Sequence, residues 1–140
     1  MTSLAIVTYS EQHFAAVRAL WEEAFPNPKP RNVPELVIRA KLAAQPDLFI
    51  VALDGEQIIG SAMAGYDGHR GWLYTVAVLE AFQRRGVGSA LVREAERRLM
   101  ALGCNKINLQ VQSSNGAVAH FYKSLGYDLE ERISMGKNVR

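Results

Sequence analysis

Three runs between Leu48 and Val78 dictate that the middle of this chain is a sheet. LFIVAL (Leu48–Leu53) is a short apolar run suited to a buried strand, and Asp54-Gly55 behind it is a hairpin turn signal. Gln57–Ala64 then returns as the antiparallel partner. The glycine-punctuated loop GYDGHRG (Gly65–Gly71) leads to WLYTVAV (Trp72–Val78), rich in aromatic and β-branched residues. Beyond it Val87, Leu91, Ala95, Leu99 and Leu102 recur every three or four positions, with Arg93, Glu94, Arg97 and Arg98 facing out. This is the clearest amphipathic helix in the chain, and Gly103 is placed to end it. INLQV (Ile107–Val111) reads as a further strand. Asn115 opens a helix through Phe121, Tyr122 and Leu125 that Gly126 terminates, and Tyr127–Met135 alternates loosely, as a strand closing the sheet would.

Ahead of the sheet, Ser10 is placed to cap a helix with Phe14, Val17, Trp21 and Ala24 on one face, ending before Pro26. FPNPKPRN (Phe25–Asn32) is too rich in proline for regular helix, and a second helix runs from about Pro34 to Ala44. The fold class is α/β (α+β): one domain over residues 1–140, a twisted, mostly antiparallel mixed sheet with helices on its faces.

Composition narrows the partners. Sixteen basic residues against fourteen acidic ones leave a net charge of +2 over 140 residues, and the basic residues are scattered, so no nucleic-acid partner is expected. The opening MTSLAIVTYS lacks the basic and apolar regions of a secretory leader, and Leu48–Leu53 is far too short to span a bilayer. Cys104 is the sole cysteine, and His13, His69 and His120 show no ligand spacing, so no metal is expected. The expectation is a cytoplasmic protein without a membrane partner. A sheet with a free edge at its C-terminal end leaves room for a homodimer.

QRRGVG (Gln83–Gly88) sits where a strand gives way to a helix. It lacks the Lys-Ser/Thr of a Walker loop and the third glycine of a dinucleotide fingerprint. What remains is a turn of free amides at the positive end of a helix, with glycine at 86 and 88 to let an anion approach. Taken locally, that describes a phosphate cradle or a plain strand-to-helix turn.

The later chain adds to this. Asn115 and Tyr122 are two helical turns apart and share a face, and FYKSLGY (Phe121–Tyr127) follows. Gln83, Gly86 and Gly88, then a strand, Asn115 and FYKSLGY together resemble the Gcn5-related N-acetyltransferases. The likeness points to the small bacterial branch that includes the ribosomal-protein N-terminal acetyltransferases, and is strongest over Leu73–Tyr127. It implies the fold of that family, acetyl-CoA as co-substrate, and an amine as acceptor. By resemblance, Val76, Ala77 and Val78 meet the pantetheine arm as an added strand would. The amides of Arg84, Arg85, Gly86, Val87, Gly88 and Ser89 hold the pyrophosphate. Asn115 contacts the arm, and Tyr122 is the general acid for the departing thiolate. Without that resemblance, Tyr122 is a core aromatic beside Phe121.

One position departs from the branch. Where its members carry a glutamate base, five residues before the asparagine, this chain has Gln110, which takes no proton. Freeing a lysine amine at pH 7 costs about 4.6 kcal/mol, an α-amine only about 1 kcal/mol. Asp67 and His69 of GYDGHRG are competent replacements, or they merely shape a loop. Phe25–Asn32 is a candidate acceptor-side wall, with Trp21 ahead of it more naturally core, and Cys104 reads as a packing residue. A non-catalytic acyl-CoA sensor is the alternative to an enzyme, and the lost glutamate is its main support.

Overall fold

The structure is a computed structural model that describes residues 3–139. Its contacts divide the chain into two compact units, Met1–Gln110 and Val111–Arg140. The first holds a five-stranded sheet of β1 (Leu4–Thr8), β2 (Phe49–Asp54), β3 (Gln57–Tyr66), β4 (Gly71–Val78) and β5 (Ile107–Leu109), side by side in that order. The first three pairings are antiparallel and β4–β5 is parallel. Helices α1 (Phe14–Ala24), α2 (Pro34–Ala44) and α3 (Val87–Ala101) belong to the same unit, and α4 (Gly116–Ser124) to the second.

The helices cover both faces of the sheet, as two neighbouring residues of β3 show. Ser61 is fully buried and its hydroxyl accepts from Trp21 Nε1 of α1 at 2.8 Å. A Cβ on Gly60, pointing the opposite way, would lie 2.9 Å from Leu91 Cδ1 and 3.4 Å from Val87 Cγ1 of α3. Successive strand residues point to opposite faces, so α1 and α3 sandwich β3 between them. Every residue of β3 from Ile58 to Ala64 is accordingly buried, as expected of a strand covered on both sides. On the α1 side, Val17, Leu20, Trp21, Ile38, Phe49, Val51 and Met63 form one cluster, with Tyr9 stacked on Phe49 at 4.3 Å between centroids.

The expected helices form, with changes at their edges. A 3₁₀ turn (Glu11–His13) precedes α1, where the Ser10 amide donates to His13 Nδ1 at 3.0 Å in a reciprocal cap. Leu20, not Ala24, completes the buried face of α1. On α3, Arg98 does not face out. It donates to Glu94 at 2.8 Å, Thr8 Oγ1 at 2.7 Å and the Asp47 carbonyl at 2.8 Å, tying α3 to β1 and to the turn before β2. Leu102 lies just beyond α3 and is exposed.

The sequence reading leaves out one strand and places another that does not form. The segment at Leu4–Thr8 is a strand, paired from Leu4↔Asp54 to Thr8↔Ile50. It is an edge strand with Leu4 and Val7 partly exposed, so it lacks the dense apolar run that marks β2. Conversely, Tyr127–Met135 forms no strand among the described residues. Its apolar residues Leu129, Ile133 and Met135 fall on alternate positions, as in a strand, but each is largely exposed, so that face buries nothing that would hold a strand in register.

Gly60→Val puts methyl groups where Leu91 and the Ala77 carbonyl already sit. It should cost about 1–3 kcal/mol by overpacking, read as a lowered denaturant midpoint at unchanged slope.

Candidate active site

Between two of its pairings with β3, strand β4 carries one residue more than its partner. Ser61 pairs with Ala77 and Met63 with Tyr74, so two steps on β3 match three on β4. The surplus is absorbed at Thr75, whose φ of 51° lies in the left-handed region, where a β-branched residue is strained. This bulge resets the facing of the strand. Tyr74 and Ala77, an odd number of positions apart, both face the α1–α2 side: Tyr74 meets Lys41 of α2, and Ala77 joins the cluster around Trp21.

On its other side β4 pairs with β5 only through Gly71, Trp72 and Leu73. Past the bulge that edge has no strand beside it among the described residues. The Leu79 amide donates to the Ile59 carbonyl at 2.9 Å. Alternation therefore turns the backbone groups of Ala77 towards β3 and those of Val76 and Val78 towards the open edge. The Val78 carbonyl accepts one bond, from Gln83 Nε2 at 3.2 Å.

The open edge runs on into the start of α3. The Gln83 amide donates to the Glu80 carbonyl at 3.2 Å, and the Ala90 amide to the Gly86 carbonyl at 3.0 Å. Between them, the amides of Arg84 to Ser89 have no acceptor among the described residues. Arg84 (φ 63°) and Gly86 (φ 83°) both take left-handed conformations, and no atom lies within 4 Å of where a Cβ on Gly86 would sit. Arg85 lays its guanidinium over the Phe82 ring, 5.7 Å from the centroid. Free amides, a helix N-terminus and open space fit phosphate oxygens, where the sequence by itself allowed a plain turn.

A cleft of about 560 Å³ lies near the start of β4, lined in part by Gln45, Tyr66, Asp67, Trp72, Tyr74 and Gln110. Gln45, just past α2, pins Tyr66 by both backbone groups, at 3.0 and 3.1 Å. Asp67 is occupied: one oxygen accepts from the His69 and Arg70 amides at 2.8 and 2.7 Å, the other from Trp72 Nε1 at 3.4 Å. Those bonds, the Arg70 and His69 amides foremost, hold its carboxyl below the usual range, which makes it a weaker base. His69 is exposed, with its ring beside the Arg70 guanidinium. GYDGHRG thus reads chiefly as a loop shaped by Asp67. None of Phe25–Asn32 lines the cleft. Trp21 is core, and Cys104 is buried with its thiol near the Lys106 carbonyl.

Nothing in the sequence singles out Lys41. Lys41 is 6 % exposed, and its Nζ donates to the Ala64 carbonyl of β3 and to Tyr74 Oη at 2.7 Å. Burial lowers its pKa to about 8, and burial also raises that of Tyr74. In PELVIRAKLAA a lysine seven residues after Pro34 looks like any solvated helix lysine; only the packing of α2 against β3 and β4 shows otherwise.

In the second unit, the Asn115 side chain caps α4 by accepting from the Val118 amide at 3.2 Å. Tyr122 is buried, edge-on to Phe121 at 5.0 Å and to Tyr127 at 5.8 Å. Burial pushes its pKa up to about 12. It is thus both a packing residue and a phenol that stays protonated.

Residues 14–127 match the family model described as the acetyltransferase (GNAT) family. The chain belongs to the GNAT acetyltransferase family. An acetyltransferase of Pectobacterium atrosepticum is 41% identical over 136 residues, spanning 97% of this chain and 96% of its own. Ard1 from Thermoplasma volcanium has the same fold, with a TM-score of 0.82 at 21% identity over 92% of this chain and 85% of that one. So does an aminoglycoside N-acetyltransferase solved with CoA, at a TM-score of 0.80 and 19% identity over 100% and 97%. This GNAT protein is accordingly an acetyltransferase that draws acetyl from acetyl-CoA. No cluster of three or more His, Cys, Asp or Glu able to hold a metal occurs among its described residues.

The buried lysine has a measurable signature in this GNAT protein. Its folded pKa of about 8 lies below the ordinary 10.5, so between those values the unfolded chain binds the extra proton. Stability then rises with pH across that window and is lost again as pH falls through 8. The thermal midpoint should climb between pH 8 and 10 in the wild type and climb less in Lys41→Met.

Proposed function

We propose that this chain is an N-acetyltransferase that passes acetyl from acetyl-CoA to an amine by direct attack, with the amine held in the cleft of Tyr66, Trp72 and Tyr74. One observation carries the reading: the open edge of β4 is continuous with the free amides of Arg84 to Ser89. An extended arm ending in a pyrophosphate needs those two features in that order. Acetyl-CoA supplies the activated acetyl thioester. Val76 and Val78 offer backbone groups to the arm as a neighbouring strand would, while Ala77 keeps the strand in register through β3. An arm laid along β4 from the phosphate cradle points its far end at Thr75 and the cleft. A backbone N–H of β4 there would meet the charge that grows on the carbonyl oxygen.

The roles of Asn115 and Tyr122 rest on the family resemblance. Asn115 contacts the arm with the side-chain group left over from capping α4. Tyr122, with a pKa far above a thiol near 8.5, acts on the departing thiolate first as a hydrogen-bond donor. Full proton transfer to the sulfur is uphill until the site is filled. Three aromatic rings beside Asp67 favour a cationic amine, whether a small molecule or a protein amine. The narrower kinship with ribosomal-protein N-terminal acetyltransferases rests on Gln83–Gly88, Asn115 and FYKSLGY, and Gln110 in the cleft wall departs from it. We place the reaction in the cytoplasm, without nucleic acid or membrane, in a monomer or a homodimer. The second reading, a non-catalytic acyl-CoA sensor, is favoured by the same Gln110.

Free-thiol release from acetyl-CoA against peptide N-termini, lysine peptides, amino acids and polyamines separates the two. The enzyme reading expects turnover with at least one amine and a drop of tenfold or more in kcat for Tyr122→Phe. Tight acetyl-CoA binding with no thiol release from any amine would leave the sensor. Gly86→Val should weaken acetyl-CoA binding by tenfold or more in either case, read by calorimetry, because a β-branched side chain at φ 83° forces the cradle to rearrange.

A further inference from the structure

With Gln110 unable to accept a proton and Asp67 committed to its loop, the question is where the proton of the acceptor amine goes. Lys41 and Tyr74 form a pair of ionisable groups joined by a hydrogen bond. The lysine is buried, and no carboxylate lies within ion-pair distance of it among the described residues. Its Nζ has two partners, the Ala64 carbonyl and the Tyr74 hydroxyl. A neutral amine can donate one N–H to the carbonyl while its lone pair accepts the phenol proton, with one N–H left over. An ammonium donates to both oxygens and turns its third proton to the face of the Tyr74 ring, 5.1 Å from the centroid, so the same partners hold the group with or without the extra proton. Tyr74 also lines the cleft, and its hydroxyl would lie 3.6 Å from a Cβ on Gly65, another cleft residue. Tyr74 immediately precedes the bulge at Thr75.

We propose that Tyr74 and Lys41 carry the proton away from the acceptor: the Tyr74 oxygen takes a proton from the substrate ammonium as its own hydroxyl proton passes to Lys41 Nζ. An N–H bond of the substrate breaks and an O–H bond forms at Tyr74, while the old O–H bond breaks and an N–H bond forms at Lys41. Tyr74 ends as it began, Lys41 becomes an ammonium, and the amine gains the lone pair it needs to attack. After the product leaves, water in the open cleft recovers the proton by the reverse path. Tyr74 is the residue that touches substrate; Lys41 acts through it. The proposal rests on the acceptor occupying this cleft, as in the reading above.

The surrounding charges leave the pair to itself. From β3, Tyr66 lines the cleft with its backbone held by Gln45. From the β3–β4 loop, Asp67 is taken by its own amides and Trp72. Arg18 of α1 and Glu35 of α2 sit together at 3.8 Å, both about half exposed. Lys41 is lowered to about 8 by burial alone, so it is mostly charged below that pH and free to accept above it. Rate should therefore rise with pH through about 8.

The test compares wild type, Lys41→Met and Tyr74→Phe, each confirmed folded by circular dichroism, with two probes across pH 6.5 to 9.5. One is a peptide whose α-amine is largely neutral at pH 8; the other is n-butylamine, which is not. The proposal expects both variants to lose on the order of a hundredfold or more in kcat/KM with butylamine and far less with the peptide. The double variant should be no worse than either single one, and the limb near pH 8 should vanish. Equal losses on both amines, or a limb unmoved in Lys41→Met, would overturn it and leave Lys41 a structural residue. Carbon-13 NMR of the lysine side chains gives a readout free of turnover: one resonance should titrate near 8, be absent in Lys41→Met, and shift in Tyr74→Phe. A Lys41 resonance titrating at the ordinary 10.4 would also overturn the proposal. No thiol release by wild type with either probe, alongside a lysine titrating near 8, would instead count against the acceptor site assumed above.

Discussion

Strand β4 has to serve two purposes at once, and the residue it has in excess over β3 is how it manages. Before Thr75 the strand is paired on both sides, between β3 and β5. After Thr75 it keeps β3 and leaves the other edge open. An unpaired interior edge is normally a liability, and here it leads into amides that likewise lack acceptors. The two deficits are neighbours along one line, and a single extended, phosphate-bearing molecule can satisfy both. The strain of a left-handed threonine is tolerable because β3 is buried on both faces and cannot follow the bulge. Gly60, which lets α3 sit against β3, is part of that rigidity.

The same rigidity explains how a lysine comes to be buried without an acid. Helix α2 is held where its Lys41 reaches the Ala64 carbonyl, and Gln45, one turn on, anchors Tyr66 by both backbone groups. With the helix fixed at these points the amine has little freedom to reach water, and its charge becomes conditional on pH. Asp67 shows the opposite case: exposed and supplied with amide donors, its charge is stabilised and it is spent on geometry.

Local chemistry was legible in the sequence wherever it is local. Asp54-Gly55 does turn β2 into β3, Gly103 ends α3 in a left-handed conformation, and Asn115 caps α4. The row of free amides before α3 was legible too, because unpaired amides at a helix start follow from chain geometry alone. Features set by partners far along the chain were not. β1 is an edge strand whose side chains are only partly buried, Arg98 looks like its exposed neighbours until Thr8 and Asp47 arrive, and Lys41 carries no local mark of burial. The extra residue in β4 is invisible without the register of β3. Gln110 is legible as a side chain that takes no proton, whereas the contact between Lys41 and Tyr74 joins two separate elements and no spacing reveals it.

The bond from Arg98 to Thr8 also bears on the order of events during synthesis. It joins residues 90 positions apart. β1 is made before the other described strands, but its clamp does not exist until the far end of α3 has left the ribosome. At about 5–20 residues per second, β1 waits roughly 5 to 20 s for that partner. The strand made first is therefore among the last to be secured, and a nascent chain halted before residue 98 would hold a sheet with its outermost strand pinned by backbone hydrogen bonds but not by the helix beneath it.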